Sequence, residues 1–123
     1  MSASAAAIGR AFARAHRERL VALCADLVAA PSEQPRGDTT APAAVIVALL
    51  TEAGLSPVIV AASPSKPNVV CAIEGARPGP HLVFNGHLDT LNPGSEAEWS
   101  APIRGLGRDN GRLTGLGVGG DHR

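Results

Sequence analysis

The apolar residues of this chain are numerous but small. Hydrophobic residues make up 45% of it, yet it holds only 2 Phe, 1 Trp and no Tyr. Alanine, valine and leucine therefore carry the apolar volume. At roughly 25 cal/mol per Å² of apolar surface removed from water, small side chains make a thin core. The 123 residues suffice for one compact domain or for a piece of a larger one. No apolar stretch approaches the roughly 20 residues needed to cross a bilayer.

The apolar pattern changes period along the chain. From about Ser4 to Ala29 it is helical: Leu20, Leu23, Cys24, Leu27 and Val28 fall on one stripe. Pro31 ends that helix, since the residue before a proline is pushed out of the α region. A polar loop from Pro31 to Asp38 leads to a second expected helix, capped by Thr40, with Pro42 in its first turn and Gly54 at its end. Three strands are then expected: Pro57 to Ala61, Asn68 to Ile73, and His81 to Asn85. The stretch after Asp89 is irregular, and Asp109-Asn110-Gly111 marks a tight turn. The expected architecture is α/β, two helices packed on a mixed sheet, with no internal repeat or linker.

Charge excludes several partners. Eleven basic and eleven acidic residues balance, so no net field favours nucleic acid or an anionic membrane. Basic tracts interleaved with aromatics, the usual nucleic-acid footprint, are missing. Cys24 and Cys71 lack metal-knuckle spacing and read as small buried hydrophobes in a reducing compartment. The segment from Met1 to Arg19 is rich in Ala, Ser and Arg and nearly free of acid. Transit peptides share that composition, but so do ordinary amphipathic helix starts. The helix reading is the simpler one, and it makes the cytoplasm the expected location.

The string Gly86-His87-Leu88-Asp89-Thr90 follows the apolar run His81-Leu82-Val83-Phe84-Asn85. Residues two apart on a strand share a face, so His87 and Asp89 should project from one side just beyond its carboxyl end. An imidazole beside a carboxylate there suits a metal ligand with an acid that orients it. A His and an Asp that merely hydrogen-bond in a surface loop would have the same spacing.

The run Leu82-Val83-Phe84-Asn85-Gly86-His87-Leu88-Asp89-Thr90 resembles the zinc-dependent aminoacylase and carboxypeptidase family of metallopeptidases. That family includes acetylornithine deacetylases, succinyl-diaminopimelate desuccinylases and related dipeptidases. Further pieces agree in order: Pro31-Ser32, Gly37-Asp38, Pro67-Asn68-Val69-Val70, Trp99 with Pro102, and the turn and glycines from Asp109 to Gly117. The resemblance implies that residues 1–123 are the N-terminal portion of a zinc-peptidase-like catalytic domain. It implies a two-metal site of zinc, or zinc with cobalt. His87 would be a ligand, Asp89 the catalytic acid that polarises it, and Asp121 the carboxylate bridging the ions. The activity implied is amide hydrolysis of an N-acyl amino acid or a short peptide.

Two departures accompany the resemblance. The family pattern places its acid five positions after the first glycine, where this chain has Gly120 and puts Asp121 one residue later; Leu116 stands where an arginine is expected. The family's glutamate pair (general base and metal ligand), a further carboxylate, a final histidine and the smaller dimerisation or lid domain all follow later in that family. Glu96 and Glu98 stand in the wrong place and are expected to be solvated. The chain alone is therefore expected to be inactive, and a non-catalytic truncated remnant with at most weak metal binding is the alternative. An unpaired sheet edge is expected to favour self-association. Gly115-Leu116-Gly117-Val118-Gly119-Gly120 also fits a dinucleotide fingerprint, but that needs a buried strand before it and a helix after it. Glycines that let a loop approach the site, or simple flexibility, explain the run better.

Overall fold

A computed structural model describes residues 4–119. Three α-helices, α1 (Ala5–Ala15), α2 (Arg17–Ala29) and α3 (Thr40–Glu52), precede two small sheets. The strands β1 (Val58–Val60) and β2 (Asn68–Val70) form one antiparallel pair, and β3 (Gly107–Asp109) and β4 (Arg112–Thr114) the other. The chain is a mixed α/β fold.

The single helix expected over 4–29 is two helices. His16, at φ −108° and ψ 16°, closes α1 by donating its N–H to Phe12 O and opens α2 by accepting from Leu20 N. Of these two helices, α2 has a buried residue, Val28, and α1 has none.

Helix α3 begins and ends for identifiable reasons. The expected cap, Thr40, is instead its first residue, and the capping oxygen belongs to Asp38. Asp38 Oδ1 accepts from Thr40 N at 3.0 Å and from Thr40 Oγ1 at 2.7 Å. These two bonds hold the Asp38 carboxyl below its ordinary pKa. A carboxylate is the stronger acceptor and is favoured by the positive end of the helix dipole. At the other end Gly54 N donates to Thr51 O and Leu55 N to Leu50 O, both at 2.9 Å, with Gly54 at φ +77°. This is the Schellman closure, which needs a left-handed residue and therefore favours glycine.

The first sheet pairs Val58 with Val70, Ile59 with Val69 and Val60 with Asn68. Its turn, closed by Lys66 N donating to Ser63 O, also accepts Thr39 N at Ser65 O and so seats the start of α3. The second sheet turns at Asn110 (φ +46°) and Gly111 (φ +78°), the left-handed pair that a two-residue hairpin requires. The expected tight turn is thus present.

The expected third strand is not. Residues 81–85 pair with no strand among the described residues, and Leu82, Val83 and Phe84 are 79%, 80% and 88% exposed. A strand needs a neighbour to accept its N–H and C=O groups, and an apolar run alone does not provide one. The expected mixed sheet is accordingly replaced by two antiparallel pairs, and the one parallel pairing among the described residues is an isolated bridge from Glu33 to Thr90.

The core is as thin as the composition requires. Val28, Pro42, Ala43 and Pro67 are its buried apolar residues among the described residues, with Ser32 and Thr39 as buried polar ones. Ion pairs tie outer segments across long sequence distances. Arg108 binds Glu18 with two bonds of 2.7 and 2.9 Å, linking β3 to α2, and Arg19 meets Glu52 at 3.1 Å, linking α2 to α3.

Gly54→Ala should cost about 1 kcal/mol in a urea titration, because a Cβ there meets no atom and only the left-handed backbone is penalised. An unchanged midpoint would mean that the closure of α3 contributes nothing to stability.

Candidate functional site

The loop after α2 runs beside the Gly86–Thr90 string. Thr90 N donates to Ser32 O at 3.2 Å, and Gln34 N donates to Thr90 O at 2.9 Å. The Ser32 and Thr90 hydroxyls lie 3.4 Å apart. Glu33, between the two anchored residues, accepts at Oε1 from Arg104 Nε at 2.8 Å and at Oε2 from Ser32 N at 3.1 Å. The Arg104 bond holds the Glu33 carboxyl below its ordinary value, outweighing its partial burial.

His87 and Asp89 come together as their spacing implies, although no strand carries them. His87 Nδ1 lies 2.7 Å from the main-chain oxygen of Asp89 and 3.4 Å from its Oδ1. A carbonyl oxygen only accepts, so Nδ1 is the donor. In the neutral ring this leaves the lone pair on Nε2, the form in which an imidazole binds a metal. Asp89 thus orients the ring first through its backbone and second through its carboxylate.

The other carboxylate oxygen, Oδ2, accepts from Gln34 Nε2 at 2.8 Å. This bond, with help from the nearby His87, holds the Asp89 carboxyl below the usual aspartate value. Gln34 is the residue that the sequence did not single out. It sits 55 positions from its partner, and no periodicity or motif connects a loop glutamine to a distant aspartate.

Behind the string, Gly117 (φ +78°) comes so close that a Cβ would lie 3.1 Å from Thr90 Cγ2. At Gly115 a Cβ would lie 3.1 Å from Val28 Cγ1. The glycines therefore allow the loop to approach both the string and the core. Residues 115–119 form a bend, turns and a bridge at Val118 rather than a helix, so the context of a dinucleotide fingerprint is missing among the described residues. Cys24, Val28, Gln34, His87, Asp89 and Leu116 line one broad, open hollow. Glu96 and Glu98 lie in a short 3₁₀ turn and are exposed. The Trp99 indole donates to Pro93 O at 2.9 Å. Asp121 lies outside the described residues.

Among the described residues no group of three or more His, Cys, Asp or Glu side chains is placed to hold a metal ion. His87 and Asp89 have the right donor chemistry for zinc but fall short of the three or four protein ligands its sites use. No chemical step can be routed through a metal on these two alone.

The Glu33–Arg104 pair gives the loop a pH dependence of defined sign. The folded pKa of Glu33 lies below its ordinary 4.5, so the unfolded chain binds more protons in acid. The pair's contribution is present above about pH 4.5 and lost as pH falls through the folded value. Arg104→Gln should flatten the fall in thermal midpoint below that pH, and an unaltered acid slope would refute the assignment.

No protein-family model matches this chain, and no solved structure matches it.

Proposed function

We propose that this chain carries one corner of a metal-dependent amide hydrolase that acts on N-acyl amino acids or short peptides. His87 is the metal ligand through Nε2, Asp89 is the acid that orients it, and Asp121 is the bridging carboxylate. Zinc or cobalt is the metal, with two ions in the complete site. In a complete site such ions would supply Lewis-acid polarisation of an amide carbonyl and an activated water, which His87 and Asp89 alone do not support. The single observation that supports this reading is the Nδ1 bond from His87 to Asp89, which selects the tautomer a metal ligand needs. The resemblance of residues 82–90 to the aminoacylase and carboxypeptidase family points the same way.

The second reading is a non-catalytic chain with weak metal binding at most. It is favoured by the shortage of donors around His87 among the described residues. One experiment tests both the His87 corner and whether this chain is catalytically competent by itself. Cobalt(II) is titrated into the chain by absorption spectroscopy, and turnover of an N-acetyl amino acid is measured with zinc or cobalt present. Weak cobalt binding lost in His87→Ala, with no turnover, is the expected result. Metal-dependent turnover lost in the same variant would mean that the donor set is complete. Cobalt binding unchanged by His87→Ala would sink the proposed corner.

Self-association belongs to the same reading, because Leu82, Val83 and Phe84 leave an apolar run uncovered. Val83→Lys with Phe84→Lys should shift sedimentation velocity toward the monomer. A parent chain that is already a monodisperse monomer would remove this expectation.

A further inference from the structure

Helix α1 buries none of its side chains, and the ring contact of Phe12 with His16, 4.2 Å between centroids, stays within the joint to α2. Among the described residues α2 is the only element it contacts. At 11 residues it is shorter than the roughly 12–15 that an isolated helix needs to persist in water. A helix of that length is ordinarily held by burying an apolar face, and α1 has such a face. Ile8 and Phe12, four positions apart, lie on one side with Ala11 and Ala15, and are 59% and 61% exposed.

The opposite side is cationic. Arg10 and Arg14 are also four apart and project away from Ile8 and Phe12. No acidic residue occurs in α1. The nearest one, Glu18, is engaged by both Arg108 Nη atoms. Among the described residues the arginine ion pairs join Arg19 to Glu52, Arg104 to Glu33 and Arg108 to Glu18, and none takes Arg10 or Arg14. The balanced charge of the whole chain, which argued against a membrane partner, therefore conceals a local excess at one end.

We infer that α1 docks on an anionic lipid surface, lying in the plane of the headgroups with Ile8 and Phe12 inserted and Arg10 and Arg14 on the lipid phosphates. This occupant matches both faces at once. A bilayer interface accepts aliphatic and aromatic side chains on one side of a helix while anionic headgroups neutralise arginines on the other. An acidic protein surface would answer the arginines but offers no reason for the apolar stripe, and a second copy of α1 would cover the stripe but leave the arginines without counter-charge. The docking is peripheral: no described helix is long and apolar enough to cross a membrane.

The test uses the full chain and two vesicle preparations, phosphatidylcholine alone and phosphatidylcholine mixed with phosphatidylserine. The chain should co-sediment with the second, stay in solution with the first, and be released by raised salt. Arg10→Gln should weaken binding about five-fold, the effect of one arginine near an anionic surface. Arg77→Gln makes the same change in net charge at an exposed site away from α1 and should leave binding unaltered. Ile8→Ser should weaken vesicle binding without shifting the thermal midpoint, since Ile8 is 59% exposed and has no ring contact of the kind Phe12 makes with His16. Equal sedimentation with both vesicles, or with neither, would overturn the proposal. So would an equal loss in Arg10→Gln and Arg77→Gln, or a dimer that forms through α1 and does not bind lipid.

Discussion

The contact between the loop after α2 and the Gly86–Thr90 string decides where the chemistry-bearing residues of this molecule lie. Two main-chain bonds, Thr90 to Ser32 and Gln34 to Thr90, set the register, and the Gln34 amide then reaches Asp89. In a domain with a large core, packing would position such a string. Here the buried apolar side chains among the described residues are a valine, an alanine and two prolines, so directional hydrogen bonds do that work. Backbone groups at partly buried positions must find partners, and each bond made here also fixes a distance.

The same poverty of core explains the distribution of charge. Arg108 with Glu18, Arg104 with Glu33 and Arg19 with Glu52 each join segments far apart in sequence. Individually such exposed pairs contribute little. Together they hold the second hairpin, the loop and two helices in their mutual places, where hydrophobic contact is sparse. What they leave over is informative. The arginines of α1 and the apolar run 82–84 are two surfaces that no described residue covers.

Local elements were legible where a residue has one conformational use. Pro31 ended a helix, Gly54 closed another at positive φ, and Asn110-Gly111 turned a hairpin. His87 and Asp89 do meet, but in a stretch that forms no strand and chiefly through the Asp89 main-chain oxygen, which the spacing did not indicate. What escaped the sequence were features that depend on neighbours. Asp38 rather than Thr40 caps α3, because a carboxylate happens to reach both the amide and the hydroxyl of Thr40. Gln34 could be found only by seeing what the loop lies against.

The sequence by itself determined the thinness of the core and the places where the chain turns. These follow from side-chain volume and from backbone steric limits at proline and glycine. Only the tertiary structure decided whether the apolar run 81–85 becomes a strand, which group orients the imidazole, and which face of α1 stays uncovered. A strand, a hydrogen-bonded tautomer and a buried face are each completed by a partner distant in sequence, and a local pattern carries no information about where that partner will be.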